Sequence, residues 1–524
     1  MSRIRLCHQN GYAWTHVNQV YAKGFVITDE GILREEALCA FFESCATKAQ
    51  LLNRLQKTNG MFSVIIQQDA GWLAAVDRLR CFPLFYRKKD NQFIVSDEVD
   101  ALFDDEENKN WNTEAIQMFS ATGYAIGEDT LIDGISQIQA GEMVFVQEAS
   151  VSKDFYYRFA DEPDETVGEK DAERQLKDVL DRVGSRLVQL LDGRTVAVPL
   201  SGGLDSRLIV YLLHKFGYQN VVCFTYGKKQ HNDEWCRSKR VAEQYGYPWL
   251  FIDYETVDAE ALLQDEVFLS YVRYAAQYTS KFYLSEYVAA RYFAEHDQWG
   301  KELVFVPGHS GDMIAGSHLR PYMSRYRNVS QVVKDLTHIH FNLVETTSAE
   351  RRMFHCKVRQ QLEDMGPVSF SGLLETWDVR ERQAKYIVNS CKVWEYFGFK
   401  YLLPLWDAEL TDFFSHLPLD MRMCKHLYEN VLWNVFSGDG ILFEEDKKMC
   451  LPSGWKENVK LWVKRNIPQF HTRSGLFVQD SIAMQRLTSA MQGELAKSGH
   501  TRTMRSYNAI VSEWYLNSFC KKSK

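Results

Sequence analysis

The stretch Leu200-Ser201-Gly202-Gly203-Leu204-Asp205-Ser206-Arg207 decides the fold class of this chain of 524 residues. It follows a short apolar run, predicted as a buried strand over 195–200, and it opens a helix predicted near 206–216. Two adjacent glycines let the backbone approach an anion closely and adopt angles that a side chain would forbid. The free N–H groups at the helix start favour phosphate oxygens. The stretch therefore predicts a phosphate-binding loop, and a glycine-rich turn that only joins strand to helix is the alternative.

The side chains of this loop indicate which bond of a nucleotide is broken. Ser201 and Ser206 add hydroxyl donors, and Asp205 offers a carboxylate for Mg²⁺ bridging the phosphates. No Gly-Lys-Ser/Thr follows at the spacing of a Walker loop. A loop without that lysine suits a grip on the pyrophosphate end of ATP, which leaves the α-phosphorus open to a substrate oxygen. The expected products are an acyl-adenylate and pyrophosphate, after which an amine displaces AMP.

The segments around the loop alternate between strand and helix. This alternation predicts a doubly wound parallel sheet with helices on both faces. Ligands of such sheets bind outside the carboxyl ends of the strands, where the loop lies. Beyond residue 330 the pattern is mainly helical. The predicted strands are 195–200, 221–224, 249–252 and 303–306, and the predicted helices are 167–191, 206–216, 232–245 and 258–296.

The first 150 residues show a different pattern, with short β-rich runs separated by turn residues. The runs at 61–66, 72–76, 83–86, 93–95 and 143–146 predict a layered antiparallel sheet. The least structured stretch is 150–166, and the domain boundary is expected there. Three regions are predicted: a β-rich domain over 1–150, an α/β domain over 167–460 and a helical C-terminal extension over 461–524.

Composition and charge exclude several classes of protein. Hydrophobic residues make up 45% and charged residues 25%, which is typical of globular proteins. The net charge of −8 supplies no basic field, so nucleic-acid binding is not favoured. The 11 cysteines form no CxxC pair, and their odd number without an export signal predicts reduced thiols in the cytoplasm. No run of eighteen apolar residues occurs, and no membrane span is predicted.

The loop and its surroundings resemble the synthetase domain of asparagine synthetases and their relatives, including β-lactam synthetases and lasso-peptide cyclases. The resemblance covers most of residues 60–460, in order. The segments that carry it before the loop are Gly60-Met61-Phe62, Ala75-Val76-Asp77-Arg78, Pro83-Leu84-Phe85-Tyr86, Ser96-Asp97-Glu98-Val99-Asp100-Ala101-Leu102, Gly123-Tyr124, Thr130-Leu131-Ile132, Gly134-Ile135 and Gly141-Glu142. Those after it are Pro307-Gly308-His309-Ser310-Gly311-Asp312, Pro404-Leu405-Trp406-Asp407 and Lys425-His426-Leu427.

The resemblance implies a fold and a set of ATP contacts. It implies a glutaminase-like (Ntn-type) N-terminal domain followed by an ATP pyrophosphatase domain of the PP-loop type. Asp205 and Asp312 would hold Mg²⁺ on the pyrophosphate. The backbones at Leu200, Tyr226 and Pro307-Gly308 would frame the adenosine, and Ser201, Gly202, Gly203 and Ser206 would bind the phosphates. Glu234 begins the helix after the second strand. It is either a residue of the site or an ordinary acidic residue in a first helical turn.

Two further residues are expected to act on the reacting groups. Lys448 would face the α-phosphate, where added positive charge stabilises the transition state. Lys447 is the alternative, as is a solvated charge run, because Asp446 stands where the family carries an arginine. His309 stands where asparagine synthetases carry Glu and β-lactam synthetases carry Tyr, near the acceptor. A catalytic His309 and a structural one both remain open. Met313 replaces the usual acidic residue after Asp312.

The first domain is expected to lack glutaminase activity. Glutamine-using relatives expose a catalytic cysteine as the first residue after Met removal, and its own α-amine serves as base. Here Ser2 follows Met1, and the nearest thiol, Cys7, is internal. The nitrogen donor would then be free ammonia, a substrate amine, or the product of a separate amidotransferase or pathway partner.

The sequence thus favours an ATP-dependent, amide-forming ligase of the asparagine synthetase type. Its substrates would be a small-molecule or peptide carboxylate and ammonia or an amine. Two alternatives remain: a nucleic-acid-modifying enzyme that adenylates a base carbonyl, and a non-catalytic synthetase-like scaffold. Met313 and the missing arginine favour the scaffold, whereas the intact first loop disfavours it.

Overall fold

The computed structural model describes residues 3–90, 92–104, 107–159, 163–228, 233–300, 302–366, 368–443 and 483–520. Up to Phe155 the chain forms two β-sheets with helices beside them. These elements are β1 Arg3–Arg5, β2 Trp14–Val17, β3 Val20–Thr28, β4 Gly31–Arg34, α1 Glu35–Glu43, α2 Lys48–Gln56, β5 Asn59–Gln68, β6 Gly71–Val76, β7 Phe85–Lys89, β8 Gln92–Ser96, α3 Thr113–Thr122, β9 Ile135–Gln137, β10 Glu142–Gln147 and β11 Ser150–Phe155, with a 3₁₀ turn at Asp100–Leu102.

The two sheets of this part pack face to face. The larger sheet has the strand order β11-β10-β6-β5-β3-β2, with β4 also paired to β3, and the smaller has the order β1-β8-β7-β9. All pairs are antiparallel except β1 with β8. Trp72 and Val144 of the larger sheet share a buried cluster with Val95 of the smaller one. Helices α1 and α2 cover the other face of the larger sheet through Leu38 and Leu51.

The second part alternates between strand and helix before it becomes helical. Its strands are β12 Val196–Pro199, β13 Val221–Gly227, β14 Trp249–Asp253, β15 Val304–Phe305 and β16 Lys400–Tyr401. Its helices are α4 Glu169–Leu191, α5 Leu204–Lys215, α6 Asp233–Gln244, α7 Ala259–Gln264, α8 Glu266–Ala276, α9 Tyr287–Glu295, α10 Gly311–Ile314, α11 Val329–His340, α12 Ser348–Asp364, α13 Phe370–Asp378, α14 Lys392–Tyr396, α15 Ala408–Ser415, α16 Leu419–Arg422, α17 His426–Gly438, α18 Met484–Lys497 and α19 Tyr507–Tyr515.

The five strands of the second part form a wholly parallel sheet in the order β14-β13-β12-β15-β16. Val196, Ala197 and Val198 are fully buried, as expected for a central strand covered on both faces. The strand order reverses between β12 and β15, and such a reversal opens a crevice at the carboxyl ends of the strands. The predicted fold class is confirmed: an antiparallel β-rich part, then a doubly wound parallel sheet with a helical C-terminal part.

Two stretches differ from the sequence-based prediction. The first sheet continues to Phe155, within the stretch 150–166 that was expected to be irregular, because β11 pairs with β10. The predicted helix 258–296 is three helices. Asp265, in extended conformation, separates α7 from α8, and α8 ends where Gln277 and Tyr278 adopt positive φ values of 44° and 52°. The backbone after them turns toward the first part, where Ala125 N–H donates to Thr279 O at 2.7 Å.

The C-terminal region contains a wide helical turn beside the parallel sheet. Residues Val379–Ile387, between α13 and α14, form a π-helix. Short π-helical insertions are common at functional sites because they alter which side chains face inward. Helix α18 packs against α7, and α19 packs against α3 and α18. Of the predicted extension 461–524, the described residues are 483–520.

The two parts share one core and one buried cluster of charges. Tyr12, Phe25 and Met61 of the first part belong to the same apolar cluster as the parallel sheet. Lys23 Nζ lies 2.7 Å from Glu395 Oε1, and Lys392 Nζ lies 2.6 Å from Glu395 Oε2. A carboxylate shared by two buried ammonium groups would be very costly to separate, so these contacts hold the two parts together.

Lys281 is a buried amine at the junction between the two parts. Its Nζ donates to Tyr386 Oη at 3.0 Å and to Asn508 Oδ1 at 2.6 Å, and its backbone N–H donates to Gly123 O. Neither side-chain partner is a carboxylate. Burial lowers the pKa of Lys281 to about 7.

The substitution Lys281→Met is expected to stabilise the protein at neutral pH. The unfolded lysine has a pKa of about 10.4, so the native state loses stability as the pH falls from there through about 7. Methionine has no amine to protonate, so this loss of stability does not occur in the variant. Tyr386 Oη can still donate to Asn508 Oδ1 at 3.2 Å. We expect the melting temperature at pH 7 to rise by about 2–4 °C. The gain should shrink at pH 10, whereas Lys239→Met, on the exposed face of α6, should show no such pH dependence.

Candidate functional site

A cavity of about 420 Å³ lies at the carboxyl ends of β12, β13 and β15. The loops after β12 and β15 form two of its walls, and α6 and α17 close the sides. Its lining residues include every sequence-predicted ATP contact and both predicted metal ligands. The cavity is lined by Pro199, Leu200, Ser201, Gly202, Gly203, Leu204, Asp205, Ser206, Phe224, Thr225, Tyr226, Glu234, Arg237, Glu286, Pro307, Gly308, His309, Asp312, Lys425, Glu429 and Trp433.

The loop after β12 is shaped to receive an anion. Gly202 has a φ of +70°, a conformation that favours glycine. Ser206 Oγ accepts from Ser201 N–H at 3.2 Å, and Gly203 N–H donates to Ser201 Oγ at 3.4 Å. No side chain caps the start of α5. The first N–H groups of this twelve-residue helix are therefore available to phosphate oxygens.

Arg207 stabilises the loop by a hydrogen bond to the Gly202 carbonyl. Its side chain is buried, with Nη2 donating to Gly202 O at 2.6 Å and Nη1 donating to Ile441 O at 2.8 Å. The guanidinium thus fixes a carbonyl of the loop and ties it to Ile441, which follows the end of α17. The sequence motif predicted no role for Arg207, because the motif does not show where this side chain points.

Asp205 and Asp312 meet across the two loops. Asp205 Oδ2 accepts from Asp312 N–H at 2.8 Å, and Asp205 Oδ1 accepts from Tyr428 Oη at 2.9 Å. Burial, and next the charge of Asp312, raise the pKa of Asp205 to about 7. A divalent cation between the carboxylates would relieve this repulsion. Two carboxylates suit Mg²⁺, which keeps waters and takes phosphate oxygens as its other ligands. No larger metal-ligating cluster of His, Cys, Asp and Glu occurs within the described ranges.

The second loop approaches the first so closely that two glycines are required. A Cβ on Gly308 would lie 2.5 Å from the backbone nitrogen of Ser206. A Cβ on Gly311 would lie 2.8 Å from Asp205 Cγ. Between them Ser310 has a φ of +65°, and its Oγ donates to Gln383 Oε1 of the π-helix at 2.7 Å. The π-helix therefore supports the loop that carries Asp312.

A flat aromatic surface lies beside the loop after β12. The Tyr226 ring, at the end of β13, stacks on Tyr254 with centroids 5.1 Å apart and an interplanar angle of 12°. Thr225 Oγ1 donates to Leu200 O at 2.8 Å and so fixes the end of β12 against β13. Buried Leu200 and half-buried Tyr226 together offer an apolar wall of the kind that packs against a base.

His309, in the cavity lining, lies between the buried side chains of Glu286 and Cys391. Its Nε2 lies 3.8 Å from Glu286 Oε1, and its Nδ1 lies 3.8 Å from Cys391 Sγ. Glu286 is only 4% exposed, and its Oε2 has no hydrogen-bond partner within the described part of the chain. Burial keeps the pKa of the Cys391 thiol well above its usual value. Sequence reasoning missed Glu286, which lies within the tract predicted as one continuous helix.

Arg237, on α6, brings positive charge to the loop after β12. A Cβ on Gly202 would lie 3.1 Å from Arg237 Cβ, so the two residues are in contact. The buried Nε of Arg237 has no partner among the described residues. The other lysine or arginine of the lining, Lys425, is paired with Glu429 at 2.6 Å. Glu234 also lines the cavity, and burial raises the pKa of its carboxyl while the charge of Arg237 opposes the rise.

The remaining predicted residues lie apart from this constellation. Met313 is buried behind the second loop and contributes no charge to the cavity. Lys447 and Lys448, with Asp446, lie outside the described residues, since the described segment before them ends at 443.

Cys7, in the first part, has an environment that disfavours a thiolate. Its backbone N–H donates to Asp97 Oδ1 at 2.7 Å, while His8 N–H and Trp14 Nε1 donate to Asp97 Oδ2 at 3.0 Å and 2.8 Å. Burial, followed by the charges of Asp97 and Glu98, raises the pKa of Cys7 to about 12. Ser2 lies outside the described residues.

Family models match both parts of the chain. Residues 176–515 match the model described as asparagine synthase, and residues 41–157 match that of a glutamine amidotransferase domain. Over 96 residues the chain is 36% identical to the tRNA-specific 2-thiouridylase MnmA of Chlamydia trachomatis serovar D, covering 16% of this chain and 25% of that protein. The match thus spans a quarter of this curated relative's length.

Two solved structures show distant similarity. The glutamine phosphoribosylpyrophosphate amidotransferase from B. subtilis, complexed with ADP and GMP, has a TM-score of 0.19 and 11% identity, covering 46% of this chain and 72% of that one. The NH3-dependent NAD synthetase from Campylobacter jejuni, in complex with the nitrate ion, has a TM-score of 0.20 and 12% identity, covering 41% of this chain and 94% of that one. Both TM-scores are below the level of a shared overall fold.

The substitution Gly308→Ala is expected to weaken nucleotide binding. The added Cβ would fall 2.5 Å from a backbone nitrogen and force the two loops apart. We expect affinity for a fluorescent ATP analogue to fall at least about tenfold, or about 1.4 kcal/mol. Gly168→Ala is the control, because a Cβ at Gly168 meets nothing within 4 Å. Unchanged affinity in Gly308→Ala would show that the close approach of the loops does not shape the binding site.

Proposed function

Because this chain belongs to the asparagine synthase family, we propose that it adenylates a carboxylate with ATP, releases pyrophosphate and transfers the acyl group to ammonia or an amine. The convergence of the two loops on one cavity, with Asp205 and Asp312 side by side, carries the proposal. A carboxylate does not react with amines at neutral pH, and AMP is the leaving group that makes the reaction possible.

In this proposal the first loop and α6 bind the pyrophosphate end of ATP. The N–H groups at the start of α5 and the hydroxyls of Ser201 and Ser206 would donate hydrogen bonds to the phosphate oxygens. Arg237 would add a guanidinium, which suits phosphate geometry. Asp205 and Asp312 would hold Mg²⁺, which supplies charge neutralisation on the departing pyrophosphate.

The other end of the cavity would position adenosine and the reacting acid. Leu200, Tyr226 and the backbone of Pro307-Gly308 would pack against the base and ribose. The α-phosphorus would then lie near His309 and Asp312, where the carboxylate oxygen attacks. Lys448 is proposed to stabilise the negative charge that develops there.

We propose His309 as the base of the second half-reaction. As the amine attacks the acyl-adenylate it must lose a proton, and the His309 imidazole would accept it. Glu286 would stabilise the resulting imidazolium, which supplies a reason for an otherwise unpaired buried carboxylate. His309 stands where the relatives that the loop resembles carry Glu or Tyr, so a different group would accept the proton here.

We further propose that nitrogen does not come from glutamine bound to the first part. A thiol whose pKa is raised to about 12 is a poor nucleophile at neutral pH. Asp97 already accepts three donors from its own chain, which leaves little capacity for a substrate amine. Free ammonia, a substrate amine or the product of a separate amidotransferase would serve instead.

The proposed location is the cytoplasm, which is supported by the ten cysteines in the described ranges, all of them free. Within those ranges no helix has the length and apolar character needed to cross a membrane.

A second candidate is adenylation of a nucleic-acid base. The 36% identity to a tRNA thiouridylase over 96 residues favours it. The net charge of −8 disfavours it, because nucleic-acid binding relies on positive charge. Pyrophosphate exchange that depends on added tRNA would support this candidate.

Exchange of radiolabelled pyrophosphate into ATP, across a panel of carboxylic acids, tests the main proposal. We expect exchange to require Mg²⁺ and one class of acid. Asp205→Asn should lower it at least about 100-fold, because a cation ligand is lost. Asp171→Asn is the control, since its carboxylate is on the exposed face of α4 and is 60% exposed. Formation of ADP, or no exchange with any acid or tRNA, would refute the proposed chemistry.

Changes at His309 and Glu286 should separate the two half-reactions. In His309→Ala and Glu286→Gln we expect amide formation to slow by about 10²–10⁴-fold, while acid-dependent exchange stays within a few-fold of normal. His296→Ala, an exposed histidine after α9, should change neither rate. If exchange and amide formation fall equally in both variants, the pair acts in adenylation or in structure rather than as the amine's base.

A further inference from the structure

A second cavity, of about 100 Å³, lies between the two parts of the protein, away from the nucleotide site. Tyr12, Gly24 and Phe25 of the first part form one wall. Val304 and Lys400, which begin β15 and β16, form the other. Strand β15 carries the second loop of the nucleotide site beyond its carboxyl end, so this cavity is at the opposite edge of the parallel sheet.

Three cationic side chains from separate segments line this cavity. They are Arg34, which precedes α1, Arg194, which follows α4, and Lys400. Glu35 is the one carboxylate in the lining, so the lining has an excess of positive charge. Arg34 comes from the first part, and Arg194 and Lys400 come from the second.

The partners of these cations leave most of their charge uncompensated. Arg34 Nη2 donates to the neutral carbonyl of Leu190 at 2.7 Å. Arg194 lies 3.9 Å from Asp192 and 3.7 Å from Glu302, whose side chains are 68% and 85% exposed, so water screens both contacts. Lys400 makes no hydrogen bond or ion pair with a described residue, and its Nζ lies 5.7 Å from the centroid of the Tyr12 ring.

The charges repel one another. Burial, and after it the charges of Arg194 and Arg34, lower the pKa of Lys400, while the charges of Glu35 and Glu302 oppose this shift. Like charges are normally kept apart unless an anion sits between them, because the repulsion destabilises the folded state. An anion in the cavity would turn this repulsion into attraction.

We propose that this cavity binds a phosphate-sized oxyanion, either free or as the phosphate group of a small metabolite. One water needs roughly 10–15 Å³ of such space, so the cavity has room for several waters or one tetrahedral oxyanion, and it is too small for a nucleotide. Guanidinium groups suit phosphate oxygens, and an ammonium group adds a point charge. The bound anion would bridge the two parts and strengthen their packing. This inference does not rest on the proposed ligase activity.

Thermal unfolding of the full chain in inorganic phosphate tests the proposal. At constant ionic strength, set with chloride, we expect the melting temperature to rise with phosphate concentration, as for a ligand that binds only the folded state. Sulfate should act like phosphate, and acetate should act like chloride. Glycerol 3-phosphate, run in parallel, distinguishes the two sources: a shift with it means the phosphate group of a metabolite is accepted, and no shift means the free ion is.

Matched variants show which cavity is responsible for the rise in melting temperature with phosphate. Lys400→Met keeps the aliphatic stem and should weaken phosphate affinity at least tenfold, and Arg194→Gln should do so independently if Lys400→Met does not fold. Arg237→Met, in the nucleotide cavity, and Lys239→Met, on the exposed face of α6, should keep the phosphate shift. In chloride, Lys400→Met should melt no lower than the unmodified protein, because a repelled charge is removed. A phosphate shift that is absent, matched by acetate or chloride, or unchanged in both cavity variants would overturn the proposal.

Discussion

The hydrogen bond from the Asp312 amide to the Asp205 carboxylate is the contact on which the cavity at the carboxyl ends of β12, β13 and β15 depends. It joins two loops that leave neighbouring strands of one sheet, and it brings Asp312 next to Asp205. The contact exists only because glycine occupies 308 and 311, where any side chain would meet the backbone of Ser206 or the carboxyl of Asp205. Backbone geometry, rather than side-chain chemistry, thus brings the acidic pair together.

The sequence predicted the parts of the site that local backbone rules control. A glycine pair between a buried strand and a helix can form few structures, so the positions of Ser201, Gly202 and Asp205 followed from their order in the chain. The second loop and Tyr226 were identified through a family resemblance, which carries the same local information. These residues line one cavity in the structure.

Residues that reach the cavity through packing could not be predicted in this way. Arg237 lies on α6, and Glu286 directly precedes α9. The sequence pattern of such helical segments shows only which face is apolar. The direction of a polar side chain depends on neighbours far along the chain. The break at Gln277 was missed for the same reason, because it is the pairing of 279–281 with the first part that interrupts the helix. Lys281 and the Lys23–Glu395–Lys392 cluster also arise from this long-range packing.

The π-helix at Val379–Ile387 constrains how this chain could change over time. A π-helix accommodates more residues in each turn than an α-helix, and removing one of them would restore regular winding while rotating every later side chain. Gln383 would then leave Ser310, and the loop with Asp312 would lose its support. Surface loops elsewhere can gain or lose residues freely, but descendants of this chain should preserve the length of the segment from Phe370 to Tyr396 even where its individual amino acids are exchanged.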